Sequence, residues 1–162
     1  MIVKKQTVTT QEIETYFTGI TLLSKDEYIS NIDIIKPIDD WYWWWLRSPG
    51  SNQDYAASVR CDGSLCSYYV DFGGGCVRPA LIGNLKSSNL LRGDKFFLAS
   101  FTWTVLTDEI ALCDEFVGRT CFRKDYTAKN ANDFDASDIK EWLYDWADKS
   151  GICFMMQTFS PD

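Results

Sequence analysis

Trp41-Tyr42-Trp43-Trp44-Trp45-Leu46-Arg47-Ser48-Pro49-Gly50 holds four of the chain's seven tryptophans, and Val77-Arg78-Pro79-Ala80-Leu81 answers it further along. Such rigid aromatic area is costly to leave in water, on the order of 1.5–3 kcal/mol per side chain that could be buried. The run is therefore core, interface or both. It stops at Pro49-Gly50, where proline removes a backbone donor and fixes φ, and glycine permits a reversal. The pattern predicts a buried strand running into a tight turn.

On the N-terminal side, residues 1–8 read as a short edge strand guarded by Lys4 and Lys5. Thr9-Thr10-Gln11-Glu12 fits a capping box for a helix carrying Ile13, Tyr16 and Phe17 and ended by Gly19. Ile20-Thr21-Leu22-Leu23 then reads as a strand, and Ser24-Lys25-Asp26-Glu27 as a second capping box opening a short helix through Tyr28 and Ile29. Asp39 and Asp40, just before the tryptophans, read as turn caps. Adjacent carboxylates on a strand point to opposite faces, which argues against a glycosidase pair.

On the C-terminal side the composition turns to Ser, Asn, Asp, Tyr, Gly and Cys between Gly50 and Val77, with turn signals at Asp62-Gly63 and Gly73-Gly74-Gly75. Short strands joined by tight turns fit this stretch. The same mixture serves antibody recognition loops, in which tyrosine supplies rigid contact area and small polar residues supply adaptable hydrogen bonds. Polar turn residues at a sheet edge have the same composition. Residues 84–89 read as a polar linker. Phe96-Phe97-Leu98, Trp103-Thr104-Val105-Leu106 and Ile110-Ala111-Leu112-Cys113 predict a three-stranded meander, and residues 119–132, with Arg123 and Lys124, a long surface loop. Ile139, Trp142, Leu143 and Trp146, preceded by capping carboxylates, predict an amphipathic helix over 136–148 with both tryptophans in the core. The tail from Gly151 reads as a last strand or a loosely docked segment.

The 162 residues suit a single domain, residues 1–90 carrying the tryptophan motif and 91–162 the meander and helix. A net charge of −7 argues against a sequence-independent grip on nucleic acid and leaves room for a basic protein partner. No apolar run approaches the ~20 residues of a membrane-spanning helix, and Met1-Ile2-Val3-Lys4-Lys5 opens no signal peptide. Bacterial cytoplasm on expression is the expected compartment, with association with a virion as the alternative. Cys61, Cys66, Cys76, Cys113, Cys121 and Cys153 contain no C-x-x-C pair, so reduced thiols are expected. The irregular spacing of Cys61, Cys66 and Cys76 offers no zinc site, and Asp54, Asp62 and Asp71 lack calcium-ligand spacing. No metal or cofactor is expected. The chain has no histidine, hence no Ser-His or Cys-His nucleophile, and no catalytic residue is assigned.

Trp44 to Gly50 and Cys76 to Leu81 resemble the hallmark of a bacterial and phage domain family of unknown function, Trp-Trp-Leu-Arg-Ser-Pro-Gly followed by Gly-Val-Arg-Pro-Ala-Leu, with Cys76 departing from the usual small residue. Residues 18–85 carry this resemblance. Residues 93–147 resemble a second piece that precedes the hallmark in many relatives and follows it here, which suggests a circular permutation; the phage-type relatives look like this chain, with the hallmark first. The hallmark pair is similar to the one framing C-type-lectin-like folds, including formylglycine-generating enzymes and retroelement-diversified binding proteins. That resemblance implies an α+β scaffold of short antiparallel strands with two or three helices, presenting a changeable surface over residues 52–76. Trp44, Trp45, Arg47, Pro49, Arg78 and Pro79 would then be structural. A guanidinium at Arg47 or Arg78 could satisfy several backbone carbonyls, or alternatively hold an anion. The catalytic cysteine pair of the formylglycine-generating enzymes has no counterpart here.

The expected function is a non-enzymatic, phage- or prophage-encoded module that binds a protein or glycan through Asn52, Asp54, Tyr55, Ser64, Tyr68, Tyr69 and Asp71. The alternative is an acidic, anti-CRISPR-like inhibitor of a host defence nuclease.

Overall fold

The computed structural model describes residues 16–152. Strands β1 (Phe17–Thr21), β6 (Ala80–Gly83), β7 (Lys95–Leu98), β8 (Phe101–Val105) and β9 (Ile110–Cys113) form one five-stranded antiparallel sheet in the order β1-β6-β9-β8-β7. A second five-stranded sheet runs β10-β5-β2-β3-β4, built from β2 (Trp44–Pro49), β3 (Tyr55–Val59), β4 (Leu65–Tyr69), β5 (Cys76–Val77) and β10 (Gly118–Arg119). Helices are few among the described residues: α1 (Lys25–Ser30), α2 (Asp138–Lys149) and one 3₁₀ turn at Phe134–Ala136.

The fold is therefore β-rich and not the α+β, lectin-like scaffold that the family resemblance implies. Among the described residues only 138–149 keep a helical period for several turns; most other apolar runs are four to six residues long and find their hydrogen bonds across strands. Phe17, read as the end of an N-terminal helix, instead pairs with Gly83 in β1 and stacks on Phe96 at 5.6 Å. Tyr16 keeps the helical conformation read for it, while the earlier residues of that helix, the edge strand over 1–8 and the tail beyond residue 152 lie outside the described residues.

The tryptophan run makes sense as a strand covered on both faces. Trp45 and Val77 enter one core with Trp103, Leu81, Phe122 and the buried side of α2, whereas Trp44, Leu46 and Cys76 enter a second with Tyr28, Val59, Leu106 and Leu112. A strand with two apolar neighbours needs no polar alternation. Burial begins only at Trp44: Trp41 is 84% exposed, and Asp39 Oδ1 accepts from the amides of Trp41 and Tyr42 to hold the turn before the strand. The two hallmark runs are direct neighbours, since β2 and β5 pair in parallel with Trp44 opposite Cys76. Arg78-Pro79 then carries the chain from β5 in one sheet to β6 in the other.

The local signals hold at both helices. Ser24 Oγ accepts from the Glu27 amide at 3.1 Å while Glu27 Oε1 accepts from the Ser24 amide at 2.8 Å, a complete capping box. Burial pushes the Glu27 carboxyl up, but the Arg47 guanidinium and the Ser24 donors outweigh it and hold the group below its ordinary value. Arg47 Nη1 also donates to the Leu22 carbonyl at 2.7 Å, tying β2 to the strand before α1. Ser24→Ala removes one half of the box, and chemical denaturation should show a loss of about 1 kcal/mol. In α2, Ile139, Leu143 and Ala147 are buried, while Trp142 and Trp146 are half-buried at the margin of the core. No described helix is long and apolar enough to cross a membrane.

Candidate functional site

The β3–β4 hairpin has two differently built ends. At its turn the Arg60 amide donates to the Ser64 carbonyl and the Gly63 amide to the Arg60 carbonyl, Gly63 adopts φ +87, and Asp62 Oδ1 accepts from the Ser64 amide and hydroxyl at 2.9 and 2.6 Å. Tyr28 anchors this turn by donating its hydroxyl to the Gly63 carbonyl at 2.6 Å. Ser64 is thus occupied locally and sits at the far end of the hairpin from the tyrosines, ~13 Å along a five-residue strand.

The open end gathers the other residues. Tyr55 lies opposite Tyr69 with ring centroids 4.4 Å apart, and the hydrogen bond between their hydroxyls pushes the Tyr55 phenol up to about 12. Tyr68 points to the opposite face, as alternation along a strand requires, and stacks on Trp43 at 3.9 Å and 18°. Phe72 leans against this pair, 5.9 Å from Trp43, and is half exposed. Tyr68 is therefore part of the packing that supports the surface, separated from Tyr69 by the sheet itself.

Asp54, Tyr69, Asp71, Phe72, Gly73 and Tyr126 line an open depression of about 470 Å³. Its walls are fixed by backbone contacts: the Val70 amide donates to the Asp54 carbonyl at 2.8 Å, and the Arg123 amide to the Val70 carbonyl at 2.9 Å. Asn52 contributes through its carbonyl, which accepts from the Tyr55 amide and the Asn132 side chain, while Gln53 Nε2 donates to the carbonyls of Ala128 and Lys129. These bonds dock the loop before β3 onto the loop that carries Tyr126. An Asx turn shapes that second loop, with Asp125 Oδ1 accepting from the Thr127 amide and hydroxyl; those bonds hold the Asp125 carboxyl below its ordinary value.

Of the seven residues singled out in the sequence, Asp54, Tyr69 and Asp71 line the depression and Tyr55 adjoins it through Tyr69. Asn52 braces it, and Tyr68 and Ser64 stand apart. Phe72 and Gly73 lay within the polar segment without being singled out, and Tyr126 lay in a loop noted only for its basic pair. An aromatic residue alone among polar neighbours, as at Tyr126, was the available signal, and the side chain is indeed 53% exposed. Neither Asp54 nor Asp71 takes part in an ion pair among the described residues. Two uncompensated carboxylates beside three exposed rings can receive a cationic or hydrogen-bond-donating group against an aromatic face.

Among the described residues no group of three or more histidine, cysteine or carboxylate side chains could hold a metal ion. Cys61, Cys66, Cys76, Cys113 and Cys121 are free thiols; burial pushes Cys113 up to about 12 and raises Cys76 and Cys121.

A β-rich chain with paired hallmark strands and an aromatic, acidic depression belongs to a family of domains of unknown function. The matching family is DUF6273, over residues 4–86, which takes in the hallmark strands, the β3–β4 hairpin and the carboxylates at its open end. No curated protein and no solved structure matches the chain.

Proposed function

We propose that the protein is a non-enzymatic binding module that recognises a protein or glycan through the open end of the β3–β4 hairpin. The observation that carries this reading is the meeting of Asp54 and Asp71, both without ion-pair partners among the described residues, with the exposed Tyr69, Phe72 and Tyr126 around one depression. Carboxylates next to rings favour a protein ligand bearing lysine or arginine, since ring faces attract cations and the carboxylates complete the charge. Phage or prophage origin, suggested by the order of the two motifs, belongs to the same reading.

Peptide and glycan arrays probed with the wild-type protein and with Tyr69→Ala, Asp71→Asn and Tyr126→Ala test it. Selected basic peptides should lose about thirtyfold in affinity in the Tyr69 and Asp71 variants, the size of a hot-spot residue. Folding stability should stay within about 0.5 kcal/mol, as for exposed positions generally. Ligands bound equally by all four proteins would remove the depression from consideration. The net charge of −7 supports a second reading, an acidic inhibitor of a host defence nuclease. Steeply salt-dependent binding to such a nuclease, undisturbed by these substitutions, would favour that reading instead.

A further inference from the structure

On the opposite side of the tryptophan strand, Arg78 is 3% exposed yet carries a full guanidinium. Its Nε donates to the Cys113 carbonyl at 2.7 Å and its Nη1 to the Lys36 carbonyl at 3.2 Å, and its Cζ lies 5.1 Å from the centre of the Trp44 ring. A guanidinium has five N–H donors, so these bonds leave most of the fork unspent. Nη2 has no acceptor among the described residues. The nearest carboxylate, Asp114, is committed elsewhere: Oδ2 accepts from Lys95 Nζ and Oδ1 from Thr104 Oγ1, each at 2.5 Å.

Arg78 lines a cavity of about 410 Å³ between the loop carrying Ile34, Ile35 and Pro37 and the face of the β7–β9 meander. Leu106 and Leu112, both core residues, lie beneath its floor, and the charged lining is three cations, Lys36, Arg78 and Lys95, against two carboxylates, Asp33 and Asp114. Asp33 is itself neutralised by Arg92 at 2.8 Å. In a chain whose net charge is −7, this is a locally cationic hollow. The volume falls within the ~300–1,000 Å³ typical of small-ligand pockets.

We propose that this cavity is a binding site for a small organic carboxylate, its two oxygens received by the Arg78 fork and its apolar body lodged against Ile34, Pro37 and the stem of Lys36, the parts of the lining that are open to solvent. A planar carboxylate matches the parallel donors of a guanidinium, and a buried cation without a bonded counter-charge gains most from one. Consistent with that deficit, burial pulls the Arg78 guanidinium down to about 10, with Asp114 only partly opposing the shift. The site is independent of the depression at Asp54 and Asp71, and neither proposal needs the other.

The test is a titration of the isotope-labelled protein with sodium benzoate and sodium hexanoate, with benzamide and sodium chloride as controls, read by NMR at Arg78 Nε–H and at the methyl groups of Ile34 and Ile35. Saturable shifts of these signals with either acid, and none with benzamide or chloride, are expected. Silence at Arg78 with both acids, or equal shifts with benzamide, would overturn the proposal. Arg78→Lys keeps the charge but loses the fork, so acid affinity should fall about tenfold or more. A folded Arg78→Lys protein that binds benzoate as tightly as wild type would also overturn it. If that variant fails to fold, the wild-type titration decides alone.

Discussion

Trp45→Ala should cost about 3–5 kcal/mol, a large share of the ~5–15 kcal/mol that holds a domain of this size together. The indole is fully buried, 4.7 Å from the Trp43 ring and 5.7 Å from Phe122, and its Nε1 donates to the Thr120 carbonyl at 2.8 Å. Truncation therefore opens a large cavity and leaves a carbonyl without its donor, which alone costs about 1–3 kcal/mol where water cannot enter. The Gly75 backbone also packs directly on the ring, where a Cβ would lie 2.1 Å from Trp45 Nε1, so the truncation strips contacts from that segment as well. Urea denaturation followed by far-ultraviolet circular dichroism measures the loss. Trp41→Ala is the matched control, and at 84% exposure it should stay within about 0.5 kcal/mol. Similar losses at the two positions would contradict a strand whose burial begins only at Trp44.

Gly83→Ala is the second large effect. A Cβ there would stand 2.0 Å from the Tyr16 carbonyl oxygen and 2.6 Å from Phe17 Cα. Both are backbone atoms, so no side chain can swing aside, and β1 must move away from β6 at the bulge where Phe17 faces Gly83. The cost should reach about 1–3 kcal/mol or more, as for other overpacked sites. Hydrogen exchange should show the loss concentrated in β1, with the Asn84 amide, which donates to the Tyr16 carbonyl at 2.8 Å, exchanging faster. Gly73→Ala provides the contrast, since a Cβ there meets nothing within 4 Å. Uniform destabilisation of both sheets by Gly83→Ala, with β1 no more affected than β4, would show that the close approach is not where the strain falls.

Much of the local structure was legible because its causes are local. The capping box at Ser24 and Glu27 and the helical period of Ile139 and Leu143 each lie within a few residues of one another. The three strands of the meander likewise follow one another in the chain, joined by short turns. Pairing between distant segments left no such trace. Nothing in the spacing of Trp44 and Cys76 says that they face each other in parallel, or that Phe17 belongs to a strand whose partner is Gly83. The lectin-like reading failed at this level, because the motif runs say nothing of the two sheets that they join.

The candidate surface was legible in composition and not in geometry. Tyr68 and Tyr69 are equivalent letters in a polar segment, and only strand alternation, once the register Tyr55↔Tyr69 is known, sends one onto Trp43 and the other to solvent. For Arg78 the sequence leaves open whether it holds carbonyls or an anion; the structure shows it holding the carbonyls of Cys113 and Lys36.

The order of strands in the first sheet bears on synthesis at the ribosome. Its middle strand, β9, is the last of the five to emerge, because β1, β6, β7 and β8 all precede Ile110–Cys113 in the chain. At ~5–20 residues per second, a growing chain passes through an interval in which β6 has β1 on one edge and nothing yet to pair with on the other. An open apolar edge of that kind is a template for neighbouring nascent chains until β9 emerges and closes it.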